Sequence, residues 1–243
     1  MIETAQLVQL LESKDADGWR HALLALTSSL GFEQVIYGMV HSRHAQVERA
    51  FLQSNYSTEW RERYDAERLA YVDPTVAHCL TSTLPIIWKP DTFSGAARAL
   101  YEEACRYKIR TGVSLPIHGP NGEFGVLSFA SSTAPGAAST RETMHIMSAL
   151  TLVRDYAFAS STRFIDQVPG DAPPRLTKRE LEVLQWVMAG KSSWEISMIT
   201  RCSEATVNFH LANVRQKFNV NTRQQAVVKA ISLGLLTPED RHR

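Results

Sequence analysis

The first half of the chain contains a group of side chains that could bind a small polar molecule. Trp60 and Tyr64 stand one helical turn apart, Tyr56 lies one turn earlier, and Asp73 directly precedes Pro74. Aromatic rings with polar tips can line an apolar pocket, and a carboxylate beside them can fix a polar head group by hydrogen bonding. The spacing alone also fits a plain hydrophobic core in which Asp73 caps a helix, so both interpretations stay open here.

A second unusual pattern lies in the segment 200–218. Four apolar residues recur at helical spacing and predict a buried stripe: Val207, Leu211, Val214 and Phe218. The opposite side lacks the Glu and Lys of an ordinary solvated face and carries Asn208, Phe209, Ala212, Asn213 and Gln216. An amide at Asn208 can pair with adenine, and Phe209 or Ala212 can contact a thymine methyl group. The pattern favours DNA recognition, with a small helical bundle that has one polar helix as the alternative.

The sequence has no arrangement typical of catalysis or of a metal site. Its eight histidines form no HxxxH or HxH pair, and no GxSxG is present. Cys79, Cys105 and Cys202 are odd in number and widely spaced, which predicts reduced thiols rather than disulfides or metal ligands. We therefore expect neither an enzyme nor a metal or cofactor site.

Charge is distributed unevenly along the chain. Residues 175–243 hold 11 Lys/Arg against 6 Asp/Glu, a net +5, whereas the other residues hold 15 against 19, a net −4. The basic part is therefore the candidate for binding a polyanion. No signal peptide and no apolar run of about 20 residues is found, so we expect a cytoplasmic protein without a membrane partner.

The segment DQVPGDAPPR at 166–175 contains three prolines and a glycine and predicts an exposed linker. It separates a predicted domain at 1–165 from a second one at 176–243. In the first domain we expect helices at 5–30, 57–70, 74–82, 93–109 and 136–164. Strands are expected at 32–41, 47–54, 112–119 and 123–131. Hairpin strands flanked by helices predict an α+β fold, an α-β-α sandwich around an antiparallel sheet.

The second domain is predicted to be all-α, with four helices at 177–189, 193–200, 203–218 and 222–234. Thr177 with Glu180 and Ser192 with Glu195 have the spacing of capping boxes. The tight turn between the second and third helices predicts a helix-turn-helix, whose second helix enters the DNA major groove. Polar and basic residues around it are expected to meet DNA phosphates: Lys191, Ser192, Thr206, His210, Asn213, Arg215 and Lys217.

This second domain resembles the DNA-binding domain of the LuxR family. The family's Glu, Leu and Gly of the first helix and turn match Glu180, Leu184 and Gly190. Its TVxxHxxNxxxK pattern matches Thr206, Val207, His210, Asn213 and Lys217. A phosphorylated response regulator of that family would need an acidic cluster and a phosphoacceptor Asp, and neither is found in the first domain.

The first domain resembles the acyl-homoserine-lactone-binding domain of quorum-sensing LuxR-type regulators. The family pattern W-x3-Y…DP…W…G matches Trp60, Tyr64, Asp73, Pro74, Trp88 and Gly112. The resemblance extends through nearly the whole chain and is strongest to receptors of long-chain 3-oxo lactones. It implies that the ligand is buried and contributes to the core of this domain.

The resemblance also implies a role for each pocket residue. Trp60 would donate to the lactone carbonyl, Asp73 would accept from the amide N–H, and Tyr56 and Ser128 would donate to the amide carbonyl. Trp88 would pack against the lactone ring, and Arg61 would reach the 3-oxo group through water. Further pocket residues implied are Tyr64, Thr75, Val76, Phe93, Ile36, Gly38, Ala50, Val126 and Leu127. An empty site would leave the Asp73 carboxylate buried at a cost in free energy.

Two positions depart from the long-chain 3-oxo receptors. Phe93 stands where they have a tyrosine, and Val126 stands where they have an alanine. Both changes leave the acyl length and the 3-oxo preference open.

Together these features predict a ligand-responsive transcription factor, with an activator as the expectation. The predicted partners are a small-molecule autoinducer, a two-fold symmetric double-stranded DNA operator, RNA polymerase and a second copy of the chain, contacted through residues 140–164 and 222–234. A receptor of the same fold for a different small molecule is the alternative, and a lactone-processing enzyme is not favoured.

Overall fold

The computed structural model describes residues 3–41, 50–120, 122–165 and 174–236. Its contacts divide the chain into two compact units, one built from the sheet and the helices up to residue 165 and one from the helices that begin at residue 178. The predicted linker lies almost wholly outside the described residues, and so does the beginning of the strand predicted at 47–54.

The first unit contains seven helices and five strands among the described residues. The helices are α1 (Thr4–Glu12), α2 (Ala16–Ser29), α3 (Thr58–Ala66), α4 (Pro74–Thr81), α5 (Ala97–Arg106), α6 (Ala137–His145) and α7 (Met147–Ile165). The strands are β1 (Gln34–Val40), β2 (Phe51–Ser54), β3 (Ile86–Ile87), β4 (Thr111–His118) and β5 (Phe124–Ser131). They form one antiparallel sheet in the order β2-β1-β5-β4-β3, which confirms the predicted α+β class.

The two faces of this sheet line different compartments, because successive side chains along a strand point to opposite faces. On β1, Val35, Tyr37 and Met39 point into a core that is closed by α1, α2 and α7. Ile36 and Gly38, between them, point to the other face, which α3, α4 and α5 cover. The sheet is therefore buried on both sides.

Buried hydrogen bonds tie α7 to the rest of the main core. The Trp19 indole donates to Ser160 Oγ at 2.7 Å, and Tyr37 Oη lies 2.6 Å from Ser161 Oγ. Burial raises the pKa of Tyr37 far above its ordinary value, so its hydroxyl stays neutral. These pairs satisfy polar groups that would otherwise be costly inside an apolar core.

Several predicted elements are divided in the structure. The helix predicted at 5–30 breaks before α2, where Asp15 accepts from the Gly18 backbone N–H at 2.7 Å as an N-cap. The helix predicted at 136–164 breaks into α6 and α7 at Ile146. The stretch predicted as helix at 57–70 ends at Ala66, and Arg68 adopts a left-handed conformation with φ 54°.

Two further differences lie next to the cavity. The helix predicted at 93–109 begins only at Ala97, because a short 3-10 turn occupies Pro90–Phe93. The two-residue strand Ile86–Ile87 was not predicted, since two residues are too few to show an alternating pattern.

The second unit has four helices among the described residues: α8 (Lys178–Met188), α9 (Ser193–Thr200), α10 (Glu204–Phe218) and α11 (Arg223–Ser232). The N-caps predicted at Thr177 and Ser192 are present. The side chains of Thr177, Ser192, Ser203 and Thr222 each accept from a backbone N–H three residues on. The predicted all-α domain is thus confirmed. No described helix is both long and apolar enough to cross a membrane.

Candidate functional site

A cavity of about 510 Å³ lies in the first unit, between one face of the sheet and the helices α3, α4 and α5. Fourteen of the predicted pocket residues line it: Ile36, Gly38, Ala50, Tyr56, Trp60, Arg61, Tyr64, Asp73, Thr75, Val76, Trp88, Phe93, Val126 and Ser128. The volume falls in the range of about 300–1,000 Å³ that is usual for small-molecule pockets.

The assignment of Leu127 to this cavity is wrong. Its neighbours Val126 and Ser128 face the cavity, so the alternation of β5 turns Leu127 to the opposite side of the sheet. There it is fully buried in the main core.

Asp73 forms the acceptor centre of the cavity. Its Oδ2 accepts from the Tyr64 hydroxyl at 2.9 Å, and its Oδ1 accepts from the Thr75 backbone N–H at 2.8 Å and from Thr75 Oγ1 at 2.7 Å. The expectation of a costly buried charge in an empty site is therefore corrected, because these donors already satisfy the carboxylate. Oδ2 still has the capacity to accept from one more N–H group.

Two hydrogen-bond donors beside Asp73 face the cavity without a partner among the described residues. They are the indole N–H of Trp60, on α3, and the hydroxyl of Tyr56, just before it. Burial, and then the charge of Asp73, raise the pKa of Tyr56 far above its ordinary value. The phenol consequently keeps its proton at neutral pH and can donate it to an acceptor in the cavity.

Arg61 supplies a third donor. One end of its guanidinium pairs with Asp65 at 2.6 Å and the group lies 5.1 Å from the centre of the Tyr64 ring. Its Nε atom is buried and has no hydrogen-bond partner in the part of the chain that the structure describes. A buried unpaired N–H is unfavourable, so an acceptor or a water molecule at this point would stabilise the site.

Trp88 and Phe93 close the aromatic side of the cavity. The Trp88 ring packs directly on Gly112, where an added Cβ would stand 2.7 Å from ring atom Cε3. Phe93 meets Trp88 edge to face at 6.2 Å and stacks on Tyr101 at 4.9 Å between ring centres. Gly112 is therefore required for close approach, and a larger residue there would displace the Trp88 ring.

Sequence reasoning missed Ser114, which connects two predicted residues. Ser114 is fully buried on β4, accepts from the Trp88 indole N–H at 3.0 Å and lies 2.7 Å from Ser128 Oγ. It faces the cavity side of the sheet because it pairs across the strands with Ser128. Strand alternation on β4, counted from Gly112, is the signal that could have identified it.

The far end of the cavity is apolar. It includes Val40 and Phe124 from the sheet, and Leu52, Tyr71 and Leu80, which are partly exposed. Cys79 is buried beside Val40 and Phe124, and burial, followed by the charge of Asp73, raises its pKa to about 12. The thiol is thus neutral and behaves as a small apolar group.

The second unit places the predicted helix-turn-helix on α9 and α10. Arg201 makes the turn in a left-handed conformation, with φ 54°. The whole predicted stripe of α10 is buried against the other helices: Val207, Leu211, Val214 and Phe218. On the opposite face Phe209 is 61% exposed, and Asn208 and Ala212 are also exposed.

The side chain of Asn208 is held by the helix before it. Ser193, at the start of α9, donates from its hydroxyl to Asn208 Oδ1 at 2.8 Å. The amide NH₂ and the second lone pair of Oδ1 stay available, so the pair of groups that a bidentate contact requires is already oriented.

Of the residues predicted to contact phosphate, several have partners within the unit. Lys191 lies 3.2 Å from Glu195, whose pKa is lowered to about 2 by hydrogen bonds from the Ser192 backbone and side chain and then by Lys191. Arg215 folds back on the carbonyl oxygens of Leu211 and Asn221. Thr206 Oγ1 lies 2.8 Å from the capping Ser203 Oγ.

Lys217 has a partner within the second unit that the sequence did not predict. Its ammonium donates to Glu180 Oε2 at 2.6 Å and to the Arg175 carbonyl at 3.0 Å, which joins α10 to the start of α8. Glu180 is buried, and burial pushes its pKa upward, but Lys217 and Thr177 outweigh that effect and hold the pKa below its ordinary value. Lys217 therefore takes part in an ion pair within the second unit, and its contact with the DNA backbone stays a prediction.

Two protein-family models match this chain. The autoinducer binding domain matches residues 15–160, which contain the cavity, and the luxR family of bacterial regulatory proteins matches residues 174–230, which contain the helix-turn-helix.

Individual proteins are similar over nearly the whole chain. The transcriptional activator protein VanR of Vibrio anguillarum is 33% identical over 91% of this chain and 92% of its own. The quorum-sensing regulator RhlR of Pseudomonas aeruginosa is 32% identical over 85% of each chain. Escherichia coli SdiA, solved in complex with octanoyl-rac-glycerol, superposes with a TM-score of 0.76 at 25% identity and covers 97% of this chain and 98% of its own.

The ion pair between Glu180 and Lys217 gives a first prediction. Lys217→Ala should lower the free energy of unfolding at pH 7 by about 1–3 kcal/mol, because the buried Glu180 loses its charged partner. A folded-state pKa below the unfolded value of about 4.3 means that the pair stabilises the fold above that pH and is lost as pH falls through the folded pKa. Thermal unfolding of the full chain from pH 7 to below the folded pKa of Glu180 should show the mutant and wild type converging on acidification.

Lys229→Ala, which removes an exposed lysine of α11, is the matched control and should leave stability unchanged. If Lys217 serves only the fold, the Lys217→Ala variant should bind DNA with the same salt dependence as wild type. A loss of about one unit of slope, with unchanged stability, would instead mean that Lys217 contacts the phosphate backbone and adds little to the fold.

Proposed function

The chain belongs to the LuxR family of bacterial regulators and is a ligand-dependent quorum-sensing transcription regulator, and on that premise we propose that its ligand is a long-chain 3-oxo-acyl-homoserine lactone. The family identifies a transcriptional regulator rather than an enzyme. The ligand would occupy the cavity of the first unit, with its lactone and amide groups near Asp73 and its acyl chain toward the apolar end.

The observation that supports this ligand is the set of unpaired polar groups in the cavity. Trp60, Tyr56 and Arg61 each offer an N–H or O–H without a partner among the described residues, and Asp73 can accept one more hydrogen. An acyl-homoserine lactone has a lactone carbonyl, an amide carbonyl and one amide N–H, and a 3-oxo group adds a third acceptor. The three carbonyl groups can accept from Trp60, Tyr56 and Arg61, and the amide N–H can donate to Asp73.

In this arrangement the lactone carbonyl accepts from Trp60, the amide carbonyl accepts from Tyr56 and Ser128, and the amide N–H donates to Asp73. Arg61 Nε serves the 3-oxo group, directly or through one water molecule. Trp88 packs against the lactone ring. Each role agrees with the chemistry of the side chain, since an indole can only donate and a carboxylate can only accept.

The apolar end of the cavity supports a long acyl chain. Val40, Phe124, Leu52 and Leu80 line it, and burying each methylene there contributes about 0.8 kcal/mol. Val126 stands on this wall opposite Gly38 of β1. The bulk of Val126 shapes the middle of the acyl path, so it is a determinant of the chain length that fits.

A ligand that binds only the folded state stabilises that state by mass action. We propose that lactone binding completes the first domain, residues 1–165, and that this domain is joined by the linker at 166–175 to a DNA-binding domain at 176–243. Two copies would associate in the cytoplasm through the regions 140–164 and 222–234 and present two α10 helices to a two-fold symmetric operator. The dimer would act as an activator that recruits RNA polymerase.

On the operator, α10 would lie in the major groove with its N-terminal half toward the bases. Asn208 would pair with adenine, and Phe209 and Ala212 would contact thymine methyl groups. Contacts to the DNA backbone are proposed for Lys191, Ser192, Thr206, His210, Asn213, Arg215 and Lys217.

A second candidate ligand is a different acyl compound. SdiA, which shares the fold at 25% identity, has been solved with octanoyl-rac-glycerol, an acyl ester without an amide N–H. A monoacylglycerol offers hydroxyl donors to Asp73 and an ester carbonyl to Trp60 or Tyr56. It has one carbonyl where the 3-oxo lactone has three, which is why the lactone is the preferred candidate.

Asp73→Asn tests the ligand assignment. The asparagine still caps α4, because Asn and Asp cap about equally well, but it no longer offers a charged acceptor to the amide. Loss of a hydrogen bond to a charged group corresponds to about 1.5–3 kcal/mol, so the half-maximal lactone concentration should rise tenfold or more. A dose-response measurement at equal protein levels, with Asp91→Asn as a control for the lost charge, checks this.

An N-methylated lactone, which has no amide N–H, should bind wild type more weakly and should lose little further affinity in Asp73→Asn. If the mutation shifted both ligands by the same factor, Asp73 would serve the fold and not the amide.

The DNA assignment gives a further prediction. Asn208→Ala should lose about 1–3 kcal/mol on the operator and little on a scrambled duplex, because an amide contact to adenine is specific to sequence. Gln216→Ala, which removes another exposed amide at the far end of α10, should change neither affinity appreciably. Equal losses on both duplexes for Asn208→Ala, measured by titration at several salt concentrations, would mean that Asn208 contacts phosphate.

A further inference from the structure

Behind the cavity wall, three side chains form a buried chain of hydrogen bonds. The Trp88 indole Nε1 donates to Ser114 Oγ at 3.0 Å, and Ser114 Oγ lies 2.7 Å from Ser128 Oγ. Ser114 has no solvent exposure, and Ser128, 4% exposed, lines the cavity. The two serines are direct cross-strand neighbours on β4 and β5.

The direction of these hydrogen bonds follows from the number of hydrogens that each group has to donate. An indole N–H can only donate, so Ser114 Oγ is an acceptor toward Trp88. If Ser128 also donated to Ser114, the hydrogen of Ser114 would be buried with no acceptor among the described residues, which is unfavourable. The arrangement that satisfies every buried group has Ser114 donating to Ser128.

The consequence appears at the cavity surface. With its oxygen accepting from Ser114, the Ser128 hydroxyl has its own hydrogen left, which has no acceptor among the described residues and is available to the cavity that Ser128 lines. A hydroxyl that accepts a hydrogen bond is also a stronger donor, because bonds in a chain polarise one another.

We propose that Ser114 is a positioning residue which, with its direction set by Trp88, fixes Ser128 as a hydrogen-bond donor toward the ligand. The ligand group at Ser128 must then be an acceptor, such as the amide carbonyl of an acyl-homoserine lactone, and this assignment rests on the proposed function. Ser114 does not line the cavity and acts only through Ser128.

A double-mutant cycle tests the relay, with N-(3-oxododecanoyl)-homoserine lactone as the probe and the half-maximal concentration for the response as the readout. Ser128→Ala should raise that concentration about tenfold, since it removes the donor. Ser114→Ala should raise it about threefold, because the freed hydroxyl then has three staggered positions instead of one. Ser114→Thr retains the hydroxyl and should stay close to wild type.

The double variant Ser114→Ala/Ser128→Ala should match Ser128→Ala within about twofold, because Ser114 has nothing left to position. A multiplicative loss of about thirtyfold, or no effect of Ser114→Ala alone, would overturn the relay. If Ser114→Ala does not fold, Trp88→Phe replaces it in both backgrounds. The rise in half-maximal concentration caused by Trp88→Phe should then be smaller in the Ser128→Ala background than in the wild-type background. Equal rises in both backgrounds would overturn the relay.

The same data separate this inference from the proposed function. If the wild-type chain responds to the probe and Ser128→Ala weakens that response, but the losses of the two variants multiply, the relay is overturned and the proposed ligand is retained. A wild-type chain that does not respond to any acyl-homoserine lactone overturns both.

Discussion

The strict alternation of side chains along β1 and β5 is the constraint on which the first domain depends. Each of these central strands separates two compartments, so every second residue must suit a closed apolar core and the residues between must suit a cavity. Tyr37 and Leu127 fill the core, while Gly38 and Ser128 face the cavity. A shift of one residue in register would exchange the two sets and destroy both compartments at once.

The hydrogen-bond partners of the buried polar groups explain why the cavity favours a particular kind of molecule. The main core satisfies its own polar groups, as the pairs Trp19–Ser160 and Tyr37–Ser161 show. The cavity does so only in part: Asp73 is satisfied by Tyr64 and Thr75, whereas the donors around it have no protein partner among the described residues. The protein therefore tolerates the negative charge by itself but still presents donors, and a ligand with several carbonyl groups completes the network.

The features that sequence alone could predict are local ones. Helix caps depend on residues three apart, so the four helices of the second domain were placed within one or two residues of their observed ends. Aromatic spacing and the resemblance to a known family located most of the cavity wall. The break at Ile146 and the two-residue β3 carry no local signal strong enough to be seen in the sequence.

The errors concern contacts between distant residues. The ion pair between Lys217 and Glu180 was not predicted, because Glu180 lies 37 positions away in the sequence. Leu127 was grouped with its sequence neighbours, although only alternate residues share a face. Ser114 was missed because its importance comes from Trp88 and Ser128, which meet it only in the folded sheet.

Native mass spectrometry of the full chain tests the central claim most directly, namely that the cavity selects a molecule with several acceptors and one amide donor. The protein would be produced in cells supplied with equal amounts of a 3-oxo-acyl-homoserine lactone and a monoacylglycerol of the same acyl length. We expect one lactone retained per chain, with retention reduced in Asp73→Asn. Retention of the monoacylglycerol with exclusion of the lactone would contradict it.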